Sequence, residues 1–244
     1  MDRPKIIVFA SGTKDEGGSG FENLVEASKS GILEAEIVAV VSNHEHGGVC
    51  KRAERLGIPF IYFNSYSSSY SQILKNLRID GGRTEAEMYA RIVKESGAEW
   101  VALSGWLKVV NGLDSKRTFN IHPALLSQLG GHGRAGRFGG KGMYGTCLYE
   151  AVKTALDAGE ISESGFTMHF VTDELDRGPA FFEYRIPLRK GMKADDIEKA
   201  VHAAEHEWQP KITNMVVHGE ISWDGKNPKS LVVPEGYQYL PKRK

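Results

Sequence analysis

The sequence predicts an α/β fold built on an open, mostly parallel, Rossmann-like sheet with helices on both faces. Residues 6–10 form a continuous β-branched and aromatic run, which is typical of a strand covered on both faces of a parallel sheet. Helical patterns over 21–30 and 49–56 then alternate with strand patterns over 37–41 and 59–63. Strands that alternate with helices in this way pair in parallel and place the helices on the faces of the sheet.

The rest of the chain extends this alternation. We predict helices over 84–96, 148–157 and 195–217, and strands over 100–104, 117–121, 166–171 and 180–186. The last two strands are close in sequence and Gly178-Pro179 lies between them, which predicts a hairpin. A long mobile loop is expected over 127–145, where glycine is frequent. Because we find no repeat and no linker, we expect a single domain over 1–244, with a C-terminal extension from about 220.

Composition and charge exclude several classes of protein. Lys plus Arg and Asp plus Glu both number 31, so the formal net charge is zero and no basic surface for nucleic acid is indicated. The apolar run near the N-terminus is too short for a signal peptide or a membrane span. Only Cys50 and Cys147 are present, which favours a reducing compartment over a disulfide framework. We therefore expect a cytoplasmic monomer or homodimer that binds neither nucleic acid nor membrane.

The candidate catalytic residues are Asn120, His122 and Asp176, in two segments that each follow a predicted strand. Acyl transfer requires a donor to the developing oxyanion, a group that carries protons near neutral pH, and an acid that tunes this group. The amide, the imidazole and the carboxylate could supply these in that order. Alternation in an extended chain places Asn120 and His122 on the same side, and a nearby carboxylate would raise the pKa of the imidazole. The alternative is structural, with polar groups that only satisfy nearby backbone and an Asp176 that caps its own turn.

Two further segments could bind a substrate. Residues 17–23 are rich in glycine and join the first strand to its helix, where backbone N–H groups suit an anionic phosphate. This segment matches neither a Walker motif nor G-x-G-x-x-G, so a flexible surface loop is the alternative. Glu205 lies at the edge of the apolar stripe of the last helix. There it could receive an amine or amide of a ligand, or simply extend outward into water.

Metal and nicotinamide chemistry receive little support. His44 and His46 lie near Cys50 in a polar stretch without matched ligands elsewhere, so we expect no metal site. The glycine loop alone suggests a nicotinamide-dependent oxidoreductase. However, Ser42-Asn43 occupies the end of the second strand, where such enzymes place an acid.

Four segments in a fixed order carry a resemblance to a known family. They are the glycine loop that ends in Asn23-Leu24, Asn120-Ile121-His122-Pro123, the run from His169 to Asp176, and Glu205-His206-Glu207-Trp208-Gln209-Pro210. From about Lys5 to Gly219 the chain resembles the phosphoribosylglycinamide (GAR) formyltransferases, which are folate-dependent enzymes of purine synthesis. The second and third segments are specific to the formyltransferase family. The fourth favours the GAR enzymes over relatives that act on transfer RNA or sugars.

The resemblance implies a formyltransferase fold in which 10-formyltetrahydrofolate, the co-substrate, gives its formyl group to the glycinamide amine without a metal. Asn120 would bind the formyl oxygen, His122 would donate a proton and stabilise the oxyanion, and Asp176 would raise the His122 pKa. The residues implied for GAR are Gly20, Glu22 and Asn23 at the phosphate, together with His202 and, at the glycinamide end, Glu205. The residues implied for folate are Arg83, Leu107, Lys108, Val109, Val110, Thr172 and Asp173.

The chain also departs from the family's pattern. The phosphate loop carries extra residues over 13–17, and it has Phe21-Glu22 where a small residue and Ser are usual. Glu22 would repel a phosphate unless only its backbone N–H takes part.

Other functions remain open. A hydrolase of 10-formyltetrahydrofolate would use the same three residues, but such relatives carry an added N-terminal domain and here the first strand begins by Lys5. Formyltransferases for transfer RNA or sugar nucleotides are a second acceptor class, and the tail after Gly219 is short for the added domain of the transfer-RNA enzymes. A binding module that kept the fold would tolerate loss of His122 without loss of ligand affinity.

Overall fold

The computed structural model describes residues 2–64, 84–128 and 137–241. The predicted folate contact Arg83 and part of the predicted loop over 127–145 lie outside these residues. The chain divides into two compact units, Met1–Thr118 and Phe119–Lys244. Among the described residues, no helix combines the length and the apolar character that a membrane crossing needs.

The first unit alternates strands and helices. In chain order its elements are β1 (Lys5–Phe9), α1 (Ser19–Ser30), β2 (Glu36–Ser42), α2 (Gly48–Leu56), β3 (Phe60–Tyr62), α3 (Glu85–Ser96) and β4 (Trp100–Ser104). The strands lie in the order β3-β2-β1-β4, and each neighbouring pair is parallel. A parallel pair needs a long crossover connection, which the helices provide. The predicted α/β class with parallel strands is confirmed.

The composition of β1 explains its position between β2 and β4. Its residues Ile6, Ile7, Val8 and Phe9 have no exposed surface. A strand that is covered on both faces and flanked on both edges has no position where a polar side chain could meet water, so its sequence is continuously apolar.

The second unit contains an antiparallel set of strands packed against two helices. Its elements are β5 (Thr118–His122, which begins at the last residue of the first unit), α4 (Gly145–Asp157), β6 (Glu163–Phe170), β7 (Ala180–Pro187), α5 (Ala194–Val217) and a short 3-10 helix (Pro228–Ser230). β6 pairs antiparallel with β5 on one side and with β7 on the other. The predicted hairpin around Gly178-Pro179 is therefore confirmed.

Two helices begin earlier than their apolar patterns indicate. α1 begins at Ser19, because Gly18 adopts a left-handed φ of 82° and the chain turns into the helix there. α4 begins at Gly145 rather than at residue 148. Glycine adds no apolar side chain to a periodic pattern, so the first turn of each helix escapes detection. Gly20 consequently lies in the first turn of α1.

Residues 220–241 pack against β7 and the last helix within the second unit. The Tyr239 carbonyl accepts a hydrogen bond of 2.7 Å from the backbone N–H of Glu183 in β7. The Tyr239 ring centroid lies 5.1 Å from those of Phe182 and Trp208. The predicted C-terminal extension is thus folded along β7 and shields backbone groups that would otherwise form an open strand edge.

Candidate active site

The end of β5 carries two of the predicted catalytic side chains. Asn120 and His122 are two residues apart in this strand, so their side chains project from the same face. In the antiparallel pairing of β5 with β6, Asn120 lies opposite His169 and His122 lies opposite Thr167. Directly opposed residues of antiparallel strands project to the same face. The four side chains therefore share one face of the second unit's strands.

Asp176 reaches these side chains from the loop between β6 and β7. In the described part of the chain it is the only non-glycine residue with a positive φ, 54°, a conformation that Asp tolerates better than most residues. One carboxylate oxygen accepts from the Gly140 N–H at 2.8 Å and lies 3.9 Å from His122 Nδ1. The other lies 3.5 Å from His169 Nε2. The structure thus brings Asn120, His122 and Asp176 together.

His122 is buried, and both of its ring nitrogens face an oxygen. Nε2 lies 2.6 Å from the Phe138 carbonyl oxygen, so Nε2 carries the hydrogen and donates it. Burial lowers the pKa of the imidazole below its ordinary value, although the Asp176 carboxylate and the Phe138 carbonyl act in the opposite direction. Asp176 raises the pKa of His122, as predicted, but desolvation of the cation outweighs this contribution, so the net pKa is lowered. At neutral pH His122 is a neutral N–H donor.

Asp176 remains ionised although it is buried as well. Burial by itself raises the pKa of the carboxyl group, but the contact with His169, the charge of the His122 imidazolium and the Gly140 N–H together hold this pKa well below its usual range. The result is a fixed anion beside His122 Nδ1. Such an anion stabilises a proton that the imidazole takes up at that atom.

His169 is the residue of this cluster that sequence reasoning missed as a functional residue. Its Nδ1 lies 2.9 Å from the Phe170 carbonyl oxygen and so carries a hydrogen, while Nε2 lies 3.2 Å from Asn120 Nδ2. When Nε2 is unprotonated it accepts from the Asn120 amide, and when it is protonated it donates to Asp176. The Asn120 amide is thereby oriented with its nitrogen towards His169. The cross-strand position opposite Asn120 is the signal that identifies this residue, and it requires the register of β5 against β6.

Glu205 and His202 lie together on α5. The Glu205 side chain is 13% exposed, and one of its oxygens lies 3.9 Å from His202 Nε2. Burial raises the pKa of Glu205 to about 8. The His202 ring also makes an edge contact with Tyr149 of α4, at 6.1 Å between centroids. Glu205 is thus a partly desolvated carboxyl group and does not extend outward into water.

The raised pKa of Glu205 predicts how stability depends on pH. In the unfolded chain this carboxyl ionises near its ordinary pKa of 4.5, whereas the folded chain keeps its proton up to about pH 8. Between these values the native state binds more protons, so this group makes the protein less stable as pH rises. We expect Glu205→Gln to gain stability relative to wild type over this range, as measured by urea unfolding at several pH values. Parallel curves for the two proteins would contradict the assignment.

In the first unit, Glu22 is held by two arginines beside the glycine loop. Its carboxylate pairs with both Arg52 and Arg55 of α2, and Arg52 Nε also donates to the Gly17 carbonyl at 2.9 Å. The hydrogen bond from Arg55 is the largest of the effects that hold the pKa of Glu22 below its ordinary value. The backbone N–H of Glu22 donates to the Gly18 carbonyl at 3.0 Å. This N–H is therefore already used within the helix, and Glu22 cannot contact a phosphate through its backbone alone in the way that the sequence required.

Gly20 and Asn23, the other predicted phosphate contacts, lie in α1. Gly20 is in the first turn, where the N–H groups have no partner within the helix and suit an anion. The two arginines exceed the single Glu22 carboxylate by one positive charge, which offsets the repulsion expected from an acid at this position.

The segment after β4 exposes two large apolar side chains from a firmly held backbone. Leu107 is 52% and Val109 is 49% exposed, whereas Val110 is buried. The Leu107 N–H donates to the Ser11 hydroxyl at 2.9 Å, and the Tyr89 hydroxyl donates to the Val109 carbonyl at 3.3 Å. Lys108, between the two apolar residues, is partly exposed. This segment therefore presents apolar surface on a fixed backbone.

The loop after β6 contains the remaining folate residues of the prediction. The Thr172 hydroxyl donates to the Glu174 carbonyl at 3.1 Å, and Asp173 is exposed. Across residues 2–64, 84–128 and 137–241, no group of three or more His, Cys, Asp or Glu side chains is placed to hold a metal ion.

Comparison with known proteins identifies the class to which this fold and this cluster belong. The family model described as formyl transferase matches residues 4–213. This span is most of the chain, so the chain belongs to the formyl transferase family.

Individual relatives define the class more narrowly. The chain is 29% identical over 225 residues to the chloroplastic phosphoribosylglycinamide formyltransferase of Arabidopsis thaliana, a match that covers 91% of the chain and 68% of the relative. It is 28% identical to the protein of the same name from Vigna unguiculata and to the trifunctional purine biosynthetic protein adenosine-3 of Gallus gallus, of which it spans 63% and 19%. The resemblance to GAR formyltransferases is confirmed.

Solved structures share the fold. Glycinamide ribonucleotide transformylase 1 from Symbiobacterium toebii aligns with a TM-score of 0.71 at 22% identity, covering 95% of each chain. The enzyme of the same name from Geobacillus kaustophilus aligns with a TM-score of 0.67 at 25% identity, covering 88% of this chain and 99% of that one. The predicted formyltransferase fold is confirmed.

Proposed function

We propose that this chain transfers the formyl group of 10-formyltetrahydrofolate to the amine of GAR, in de novo purine synthesis. The observation that carries the proposal is the cluster of Asn120, His122 and Asp176 in the second unit, where an amide, an imidazole N–H and an ionised carboxylate lie within reach of one another. Membership of the formyl transferase family and the names of the relatives support the same activity.

The proposed reaction begins with attack of the neutral GAR amine on the formyl carbon. The developing oxyanion takes hydrogen bonds from the Asn120 amide and from His122 Nε2. Because Nε2 now donates to the Phe138 carbonyl, the formyl oxygen must replace that carbonyl as its acceptor. A proton then passes from the amine nitrogen to the folate leaving nitrogen, and the intermediate collapses. Asp176 raises the pKa of the imidazole and so favours uptake of a solvent proton at His122 Nδ1 as negative charge develops, and this proton returns to solvent when the intermediate collapses.

The GAR contacts in this proposal come from two segments of the chain. The GAR phosphate is assigned to the loop that leads into α1, with Gly20 and Asn23, and Arg52 and Arg55 balance the charge of Glu22 there. His202 and Glu205 are assigned to the acceptor. An amine that approached as an ammonium ion would restore an ordinary pKa to Glu205.

The folate assignments rest on exposed surface and on the resemblance. The pterin is assigned to the apolar side chains of Leu107 and Val109, with Lys108 and Val110 in the same segment, and to Thr172 and Asp173. Arg83 completes the set by resemblance alone. We also propose a cytoplasmic location, while the single domain and the choice between monomer and homodimer stay predictions.

The decisive experiment incubates purified protein with 10-formyltetrahydrofolate and GAR and measures formyl-GAR by mass spectrometry. We expect formyl-GAR to form in equal amount to tetrahydrofolate, and no folate release when GAR is omitted. Equal folate release without GAR would instead establish a hydrolase. Absence of both products would overturn the proposal.

A further inference from the structure

Glu183, in the middle of β7, is a buried carboxylate for which the proposed reaction has no use. The residue is 4% exposed and lies in the second unit, where β6 separates its strand from the strand that carries His122. A carboxylate in such a position destabilises the fold unless donors surround it. The hydrogen-bond partners of Glu183 therefore indicate which part of the structure this carboxylate stabilises.

Ser127 and Arg185 donate to this carboxylate, and the Thr167 hydroxyl lies near it. One oxygen accepts from the Ser127 N–H at 3.0 Å and lies 3.3 Å from the Thr167 hydroxyl. The other accepts from the Ser127 hydroxyl at 2.7 Å and from Arg185 at 3.0 Å. Arg185 also donates to the Ser127 hydroxyl at 2.9 Å. Charge-assisted hydrogen bonds of this kind are shorter and stronger than neutral ones, so Ser127 is tightly held.

The same network reaches the strand end that carries His122. Thr167 lies opposite His122 on one side and opposite Glu183 on the other. Its hydroxyl donates to the Ala124 carbonyl at 2.7 Å and accepts from the Leu126 N–H at 3.0 Å. The turn of five residues from 123 to 127 follows His122 directly, and it is fixed at three of them by Thr167 and Glu183.

We propose that Glu183 is a positioning residue for formyl transfer, which acts through Ser127 to hold the turn after His122 and thereby the imidazole. The inference rests on the proposed function for its kinetic consequence. Misplacement of a reacting group by about 1 Å can lower a rate by about a hundredfold, so a distant anchor can matter for turnover. Glu183 does not touch the reacting atoms.

Glu183→Gln keeps the size of the side chain but turns an acceptor into a donor facing Ser127 and Arg185. We expect kcat for formyl-GAR formation to fall by about tenfold to a hundredfold, while KM for GAR and for folate changes by less than about twofold. A looser turn also admits water to His122, so the midpoint of the His122 titration, followed by NMR, should move upward. The titratable groups that face this imidazole, Asp176 and His169, are the same in both proteins.

Glu163→Gln is the matched control. Glu163 is the second carboxylate that pairs with Arg185, but it is partly exposed and its side chain contacts neither Ser127 nor Thr167 in the described structure. We expect wild-type kcat and an unmoved His122 titration in this variant. A loss of kcat equal to that of Glu183→Gln would overturn the proposal, because it would assign the effect to Arg185.

Two further outcomes decide the proposal. Glu183→Gln that melts at a lower temperature, yet has the kcat and the His122 titration of wild type, would make Glu183 merely structural and refute the inference. If that variant does not fold, Ser127→Ala removes one hydroxyl from the network, and an unchanged kcat in that variant would refute the inference. If wild type forms no formyl-GAR, the proposed function fails, and the His122 titration alone then judges the positioning role.

Discussion

Replacement of His122 by alanine is expected to lower the rate of formyl transfer by about a hundredfold or more, and Asp176→Asn should do the same. The alanine variant lacks the N–H that the oxyanion would accept from in place of the Phe138 carbonyl. The asparagine variant keeps the left-handed conformation at 176, which Asn tolerates, but removes the anion that opposes the low His122 pKa. Steady-state formation of formyl-GAR measures both effects. We expect kcat itself to fall, whereas weaker substrate binding alone would raise KM and leave kcat unchanged.

His44→Ala is the control for the histidine variant. His44 is exposed, lies in the first unit and has no role in the proposed reaction. Its loss should leave kcat at the wild-type value. Near-normal turnover in His122→Ala or in Asp176→Asn, with both proteins folded, would contradict the assigned roles and would favour a binding module that kept the fold.

Alternation along the chain was sufficient to predict the parallel strands and the face that Asn120 and His122 share. Both follow from local geometry, since a strand buried on both faces is continuously apolar and residues two apart project together. The position of Asp176 beside them is not local. The chemistry that acyl transfer requires and the resemblance to a family suggested this position, because no periodic pattern connects a loop after β6 with the end of β5.

The features that the sequence could not supply depend on long-range register and on backbone atoms. His169 joins the cluster only because β6 pairs with β5 in one register, and the partner of His122 Nε2 is the Phe138 carbonyl, a group that every residue has. The net direction of the His122 pKa shift could not be predicted for the same reason. A nearby carboxylate can be inferred from a motif, whereas the extent of desolvation depends on how segments remote in sequence cover the imidazole.

Glu22 is a case in which sequence and structure together explain a departure from the family's pattern. An acidic side chain beside a phosphate loop would be expected to repel the phosphate. The ion pairs of Glu22 with Arg52 and Arg55 remove this repulsion. Both arginines come from α2, and nothing in the pattern of α2 distinguishes them from ordinary solvent-exposed basic residues. Only the packing of α2 beside the glycine loop gives them this role.

Gly178→Ala is expected to cause the largest loss of stability of any substitution considered for this protein. A Cβ atom at this position would lie 1.7 Å from the carbonyl oxygen of Phe170 and 2.6 Å from its carbonyl carbon, and both are backbone atoms at the end of β6. No flexible side chain is available to move aside. The Phe170 N–H also donates to the Pro179 carbonyl at 3.1 Å, so separating the two segments breaks this hydrogen bond. We expect a loss of about 3 kcal/mol or more in the free energy of unfolding, measured with urea.

The same substitution should also lower turnover in the protein that remains folded, because Gly178 lies two residues after Asp176. Displacement of the loop draws the carboxylate away from His122 and from the Gly140 N–H. Gly159→Ala is the matched control: its φ is positive, at 73°, but a Cβ there meets no atom within 4 Å. That variant should lose only the roughly 1–2 kcal/mol of a left-handed alanine and keep its kcat. If Gly178→Ala is no less stable than Gly159→Ala, the close contact between Gly178 and Phe170 is not a feature of the folded protein.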